Sequence, residues 1–567
     1  MQFKRWRLMP RIPPSIQHRL REFHPVLAQV LYNRGYTEPG KARQFLNGEM
    51  PPSNPFRMAD MSKAVARIRR AILRREPVAV YGDFDTDGVT ATALLVQVLT
   101  ALGADARPYI PHRVDEGYGL NSRALRELAR QGVRVVITVD CGIRSIQEVR
   151  DGTAAGLDMI VTDHHAIGPE LPPAYAVINP KREDCTYGED MLAGVGIAYR
   201  LADALLRAAA ASGKATPDLA VEDLLDLVAI GTVADLAPLD RLENRALVRQ
   251  GLAVLNLARR PGVCALLDVA GLQPGKIKAI NIGFVLGPRI NAAGRLESAM
   301  AAYELLTASD YGQAVTLAQN LQTLNLRRQE FTRESEEAAR DLALRDGQDV
   351  PLIFAASREF LPGIVGLVAG RLVEEFYRPA VVVEQGERES RGSCRSIQEF
   401  DIVHALDQCA DLLVRHGGHT QAAGFTVKNE NLPLLRERLM SIAAEALRGQ
   451  DLRPALEVDA EVPIEALTLE LAEDLERLEP TGHHNPPPLL MSRRLPVASS
   501  RPVGREGSHL KLSFGEAGWW LDGIAFGQGD WAPELPRLVD VVYHLEINEW
   551  NGRRKIQLNV QDIRPAE

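Results

Sequence analysis

Val78–Gly88, VAVYGDFDTDG, ends a short apolar run in three aspartates, Asp83, Asp85 and Asp87. The pattern returns twice. Val133–Val139, VRVVITV, leads into Asp140, Cys141 and Gly142, and Leu157–Thr162, LDMIVT, leads into Asp163, His164 and His165. In a parallel sheet the loops after the strands gather at one edge, which is where doubly wound α/β folds build their sites. The three clusters are therefore expected to meet. A fourth carboxylate, Asp235, closes the apolar stretch Leu224–Ala234, LLDLVAIGTVA, which reads as a helix delivering its last residues to the same rim.

Hard carboxylate oxygens with an imidazole suit Mn²⁺ or Mg²⁺ better than a thiolate-type zinc site. So many carboxylates call for two cations, since one ion could neither use them all nor offset their mutual repulsion. Each element alone has a plainer reading: an Asp after a strand is usually a turn former or a helix cap, and a His pair is usually a surface or core feature. Four clusters in one structural context outweigh those readings. A calcium loop opening at Asp83 is excluded, because Leu94 stands where its twelfth-position Glu is required. Gly194-Val195-Gly196 lacks the third glycine of a dinucleotide fingerprint and reads as packing.

The 567 residues, 46% of them hydrophobic, are enough for roughly three or four domains. Met1–Arg21 is broken by Lys4, Arg5, Arg7, Arg11 and prolines, so it does not read as a signal sequence, and no apolar run approaches a membrane span. Five scattered cysteines form no CxxC pair, which fits a reducing cytoplasm and no structural zinc. The net charge of −8 argues against a nucleic-acid partner only on average; what matters is where positive charge concentrates. Arg67 to Arg75, Arg493-Arg494 and Arg553-Arg554-Lys555 are local basic clusters.

Along the chain, residues 1–77 read as a helical leader, broken at Pro51, Pro52 and Pro55 before a helix Ser62–Arg75. An α/β metal domain follows over 78–309. Residues 310–346, with Leu317, Leu321, Leu324 and Leu326 near helical spacing, form a connecting helix. A smaller α/β unit spans 347–450. After Pro486-Pro487-Pro488, within 451–567, the alternating segments His509–Phe514, Trp519–Phe526, Val541–Ile547 and Lys555–Val560 read as a small β-barrel. Trp519, Trp520 and Trp550 are its candidates for stacking on bases.

Asp83-Phe84-Asp85-Thr86-Asp87-Gly88, Val139-Asp140-Cys141-Gly142, Asp163-His164-His165 and Gly231-Thr232-Val233-Ala234-Asp235 resemble the successive motifs of the DHH phosphoesterase superfamily. Gly417-Gly418-His419 followed by Ala422-Ala423-Gly424 resembles its DHH-associated substrate-binding domain. Gly287 to Arg295, GPRINAAGR, extends the resemblance to the RecJ single-strand exonucleases over nearly the whole chain. That resemblance implies an α/β, parallel-sheet DHH domain joined by a long helix to a smaller α/β DHH-associated domain, with the barrel as an OB-fold. It implies a 5′-to-3′ exonuclease that releases 5′-mononucleotides from single-stranded DNA and acts in recombination and repair.

In that reading Asp85, Asp87, Asp140, His164 and Asp235 hold two divalent cations, with Asp140 as the bridge and Asp83 assisting. His165 orients phosphate or protonates developing charge, and Asp163 orients an imidazole. Arg289, Asn291, Arg295, Gly363, Ser393, Arg395, Gly418 and His419 are the expected substrate and phosphate contacts. Two positions depart from the family pattern: Leu361, where a histidine is common, and Cys394, where glycine is commoner and the change implies a different loop. A cytoplasmic location follows from the same reading, as do a single-strand-binding protein and a RecQ-type helicase as partners. The alternatives are a phosphodiesterase for short oligonucleotides or cyclic dinucleotides, which would not need the barrel, and a catalytically silent replication scaffold, which would not need intact metal motifs.

Overall fold

The computed structural model describes residues 4–113, 116–117, 119–212, 218–345, 347, 350–516, 520–550 and 552–566. The chain opens with a strand, β1 (Arg5–Leu8), and three short helices, α1 (Pro14–Arg19), α2 (Pro25–Asn33) and α3 (Pro39–Asn47), each with proline in its first turn. Proline presets φ there and has no N–H to leave unpaired. These helices are too short to bury a core of their own. Leu20, Leu27, Leu31 and Phe45 instead share a core with Leu490, Phe514 and Tyr543 of the C-terminal barrel, and β1 pairs with Ala455–Val458. The expected leader is therefore divided: Arg5–Asn47 joins the barrel, while α4 (Met61–Arg74) packs into the core of the metal-binding unit.

In that unit β2 (Val78–Gly82), α5 (Thr86–Ala101), β3 (Ala106–Tyr109), α6 (Ser122–Arg130), β4 (Val135–Val139), α7 (Ile146–Ala154), β5 (Asp158–Thr162) and β6 (Ala176–Ile178) build a parallel sheet of order β3-β2-β4-β5-β6. β2 and β4 are buried along their whole length, which is why they read as unbroken apolar runs. The order reverses between them, so the loops leaving β2 and β4 part and open a crevice at the carboxyl ends of the strands. Asp83 and Asp140 are the first residues after those two strands.

Helices α8 (Gly194–Ala211) and α9 (Leu225–Ala234) pack on α5, α10 (Leu242–Leu255) packs on α9, and α11 (Pro261–Ala270) joins the same core. A short helix, α12 (Ala279–Asn281), passes through a π turn (Ile282–Leu286) into α13 (Gly287–Leu296), followed by α14 (Met300–Thr307). The 34-residue α15 (Tyr311–Leu344) then buries Leu321 and Leu324 in this first core and Ala339 and Ala343 against the next unit.

The second unit contains β7 (Ile353–Ser357), α16 (Val365–Phe376), β8 (Ala380–Gln385), β9 (Glu389–Arg395), α17 (Ile402–Asp407), β10 (Leu413–His419), β11 (Ala422–Lys428) and α18 (Leu432–Ala446), with sheet order β10-β11-β9-β8-β7. Cys394 lies within β9 and not in a loop: it is fully buried in the core, while Ser393 and Arg395 face the other side by the period-two alternation of a strand.

After β12 (Ala455–Val458), β13 (Ala460–Glu461) and α19 (Leu469–Glu476), the strands β14 (Leu490–Val503), β15 (His509–Phe514), β16 (Leu521–Ala525), β17 (Leu538–Trp550) and β18 (Arg553–Pro565) close a barrel in the order β14-β15-β16-β18-β17-β14. This is the five-stranded OB circuit. β14 escaped the sequence reading because a register shift between Ser492 and Leu495, with Arg494 at φ +53°, breaks its alternation. Arg493 of that basic cluster pairs with Glu461 and Asp540. Of the three candidate tryptophans, one of which is expected to stack, Trp520 is 67% exposed; Trp519 and the Trp550 side chain lie outside the described residues. Among the described residues no helix is long and apolar enough to cross a membrane.

Candidate metal centre

The ends of elements position every residue of the acidic cluster. Asp85 caps α5, its Oδ1 accepting the N–H groups of Asp87 and Gly88 at 3.0 and 3.1 Å. Asp87, buried in the first turn of α5, accepts the N–H of Gly194 at 2.6 Å and of Val195 at 2.8 Å. Gly194-Val195-Gly196 is thus more than packing: it is the positive end of an 18-residue helix holding a carboxylate. A Cβ on Gly194 would lie 2.6 Å from Asp140 Cβ, and one on Gly231 would lie 2.9 Å from Asp87 Oδ1. Only glycine permits these approaches. Asp140 follows β4 at φ +63°, a left-handed conformation that costs a non-glycine residue about 1 kcal/mol or more. Asp235 is the C-terminal cap of α9.

His164 Nε2 lies 3.1 Å from Asp140 Oδ1, 3.7 Å from Asp235 Oδ2 and 4.0 Å from Asp87 Oδ2. Burial, then the neighbouring His165, pushes the His164 imidazole down to about 3, so the neutral ring can offer a nitrogen lone pair to a cation. Burial and the surrounding carboxylates push Asp83 and Asp140 well above the usual carboxylate range, Asp87 up to about 7 and Asp235 up to about 9. His165 behaves oppositely. Burial alone would lower it, but its Nδ1 lies 2.8 Å from Asp163 Oδ1, and that pairing holds the imidazole above its ordinary value. Burial would likewise raise Asp163, yet His165 and the N–H groups of His165 and Ile143 hold it low.

These atoms fall into three overlapping groups, Asp87-His164-Asp235, Asp140-His164-His165 and Asp83-Asp85-Asp140, each with its ligand atoms within 4.8 Å of one another. Asp83 Oδ1, Asp140 Oδ1 and His164 Nε2 are buried without a hydrogen-bond partner, although the last two are 3.1 Å apart. Two unpartnered polar atoms this close, beside further carboxylates, suit a shared cation. The donor set, oxygens with imidazole nitrogen, fits Mn²⁺ or Mg²⁺.

Sequence reasoning missed several groups at this rim. Asn179, directly after β6, donates to the His165 carbonyl at 3.0 Å, and Lys181 donates to the His164 carbonyl. Ala176–Ile178 is a fourth apolar run ending in a polar residue, so the pattern that found the acids would have found these two. Arg113 stacks 4.8 Å over the Phe84 ring and faces Asp83 and Asp85. Burial, with Arg113 and Arg328 as neighbours, pushes Arg295 down to about 10, and Asp85 and Arg395 also act on it. Arg113 and Arg295 therefore face Asp85, and Arg328 and Arg395 gather around Arg295.

Other expected substrate contacts have different partners. Asn291 Oδ1 accepts the Thr86 N–H at 2.8 Å, and Thr86 Oγ1 donates to the Gly287 carbonyl at 3.3 Å. Asn291 therefore holds the loop between Asp85 and Asp87. Arg289 donates to Gln322 of α15 and to the Val285 carbonyl. Gly363 meets α13, its carbonyl accepting Arg295 Nη1 at 2.9 Å, and a Cβ there would lie 2.6 Å from the Arg295 carbonyl oxygen. A Cβ on Gly366, in the first turn of α16, would lie 3.0 Å from Ser393 Oγ and 3.3 Å from Arg395 Nη2, so these two side chains sit at a helix N-terminus suited to an anion. Gly418 and His419 are exposed at the end of the β10–β11 hairpin. The partner of His419, Ala422, also pairs with Arg395, placing His419 about 10 Å from that arginine by strand spacing.

The chain matches three family descriptions: the DHH family N-terminal domain over residues 77–232, the DHHA1 domain over 349–445 and the RecJ OB domain over 458–562. It is 37% identical to the single-stranded-DNA-specific exonuclease RecJ of Bacillus subtilis, across 99% of this chain and 71% of that protein. Identity to the RecJ of Escherichia coli is 34%, across 96% of both. The crystal structure of RecJ from Thermus thermophilus in complex with Mn²⁺ superposes with a TM-score of 0.85 at 33% identity, covering 99% of this chain and 80% of that one. Its Mg²⁺ complex gives 0.79 at 31%, covering 99% and 79%. With the metal-site geometry, the domain matches and full-length similarity all in agreement, the chain belongs to the RecJ family.

Proposed function

We propose that this protein is a metal-dependent exonuclease specific for single-stranded DNA, working from the 5′ end and releasing 5′-mononucleotides. The observation that carries this reading is the juxtaposition of the carboxylate–histidine cluster with Arg113 and Arg295, which face Asp85 and have Arg328 and Arg395 around Arg295. One side suits cations and the other a terminal phosphate. Asp85, Asp87, Asp140, His164 and Asp235 would hold two divalent cations, Mn²⁺ or Mg²⁺, which when bound polarise a phosphodiester and lower the pKa of a water.

The remaining work falls to the chain's own groups. Ser393 and Arg395, at the start of α16, bind the 5′-phosphate together with Arg113 and Arg295, fixing the strand end so that one nucleotide reaches the cluster. Gly418 and His419 complete the same wall. Arg289 faces the strand farther out. His165, its proton affinity raised by Asp163, donates to a phosphate oxygen as charge develops. Asp83 assists from below. The crevice between the two α/β units admits one strand and excludes a duplex, and the outer face of the barrel, with Lys511, Trp520 and Lys555 exposed, carries the incoming strand. An enzyme that consumes free 5′ single strands needs something to separate them and coat them, so a RecQ-type helicase and a single-strand-binding protein are proposed partners, in the cytoplasm.

The test follows 5′-labelled and 3′-labelled single-stranded DNA with Mn²⁺, Mg²⁺ or chelator, alongside Asp87→Ala and His164→Ala. Immediate mononucleotide release from the 5′ label, lost in chelator and in both variants, is expected. Metal-independent binding without cleavage would point to a scaffold, and cleavage of only the shortest oligonucleotides to a small-substrate phosphodiesterase.

A further inference from the structure

The barrel carries a cavity of about 460 Å³ at the end of β16, lined by Phe526, Gln528, Trp531, Asn559, Gln561 and Lys4 among others. Burial alternates strictly along Trp520–Phe526, so Trp520, Asp522, Ile524 and Phe526 share the outer face of that strand. Trp520 is 67% and Phe526 58% exposed. Large aromatic rings at both ends of one outward face, about 20 Å apart at the rise of a strand, mark a track several nucleotides long.

The cavity at the Phe526 end differs from an open stacking surface. Phe526 stands edge-on to His509 with ring centroids 5.2 Å apart at 76°, and His509 Nδ1 accepts the Gly527 N–H, which fixes the wall in place. Gln528 donates to the Val560 carbonyl at 3.4 Å, while its Oε1 is buried with no hydrogen-bond partner. A buried acceptor left alone costs about 1–3 kcal/mol, so a donor is wanted there. Charge decides what kind. Lys4 is the single cation among the described lining residues, bonded to the Gln561 carbonyl at 3.2 Å, and it shares the lining with two carboxylates, Asp530 and Asp562. A phosphate is disfavoured. A flat, neutral group with N–H donors on its edge fits both the aromatic wall and the orphaned amide oxygen.

We propose that this cavity takes one nucleobase of the bound single strand, edge first, with Phe526 as its stacking wall and Gln528 Oε1 accepting from the base edge. The inference rests on the exonuclease reading for the identity of the strand. It makes the barrel count bases as well as hold phosphates: one position, at a set distance from the 5′ end, is read by its base.

The experiment measures anisotropy of a 3′-labelled single strand in EDTA while one abasic residue is moved stepwise from the 5′ end. For the wild type, a loss of affinity of about fivefold or more is expected at one position and little change at its neighbours. In Phe526→Ala and in Gln528→Leu, each checked for wild-type melting, that position becomes as insensitive as the rest, and Phe526→Tyr restores it. A flat abasic profile in the wild type overturns the proposal, and so does an identical dip in all four proteins. Cleavage of the unmodified strand by the wild type with Mn²⁺ is scored separately, so that failure of the exonuclease reading is told apart from failure of the pocket.

Discussion

At Asn291 a side chain of α13 spends its oxygen on the loop that carries Asp85 and Asp87. Its bond to the Thr86 N–H lies between two candidate ligands, and outer contacts of this kind typically control metal affinity by about 10–100-fold. Asn291→Ala is therefore expected to weaken Mn²⁺ binding by about that factor in a calorimetric titration, with Asn291→Asp, which keeps an acceptor, closer to wild type. Normal Mn²⁺ affinity in Asn291→Ala with weakened DNA binding would return the residue to the substrate. Gly194 gives a sharper test. Its missing Cβ leaves the space beside Asp140, and displacing a ligand by even an ångström costs about 100-fold in rate. Gly194→Ala should lose at least that much activity while keeping the far-ultraviolet dichroism of the wild type.

Among elements, α10 is the one that binds the parts together. Arg245 projects from it, fully buried, and donates to five backbone carbonyls, those of Phe45, Arg477, Leu478, Glu479 and Pro480, at 2.6 to 3.2 Å, while its guanidinium lies 3.9 Å from the Phe45 ring centroid. No carboxylate is needed, because five carbonyl dipoles solvate the charge. Arg245→Met should destabilise the protein by about 3 kcal/mol in urea unfolding, the scale of hydrogen bonds to a charged group. Limited proteolysis of that variant should cut first near Arg477–Pro480, where the barrel joins. A stable variant with an unchanged cleavage pattern would show that the apolar core around Phe45 suffices. α13 has the corresponding role on the other side. It holds Thr86 at one end and Gly363 at the other, so any shift of the second α/β unit is felt at the metal loop.

For the whole molecule, net charge and local charge point in opposite directions. The chain carries −8 overall, yet its binding surface gathers arginines from two units. If Arg113, Arg295, Arg328 and Arg395 each neutralise one phosphate, the logarithm of DNA affinity should fall with the logarithm of salt at a slope of about −3, single strands releasing about 0.7 counterion per contact. A flat response would deny the phosphate contacts. The acidic crevice has its own signature. Asp83, Asp87, Asp140 and Asp235 are buried near one another and resist ionisation, so Mn²⁺ should raise the melting temperature and EDTA should lower it. An unchanged melting temperature in Asp140→Ala with and without Mn²⁺ would confirm where the ion acts.

Most of the acidic centre was legible from local pattern. Asp83, Asp140 and Asp163 each end a buried strand, and a parallel sheet brings such ends together whatever the rest of the chain does. Asp235 was legible for the same reason, as the last residue of an apolar helix. The bulged strand β14 was not, since Arg494 at positive φ erases the alternation by which strands are read. Nor could sequence assign Gly194 and Val195 to Asp87, because the donors are backbone N–H groups more than a hundred residues from the acceptor. The same holds for Arg5–Asn47 and the barrel, joined across over four hundred residues. Sequence alone determined the ligand chemistry and the order of the units, because both follow from residue type and local periodicity. Tertiary structure alone decided which helix end holds Asp87, which arginines face the acidic cluster and which side chains hold its loops, because those depend on contacts that no local pattern encodes.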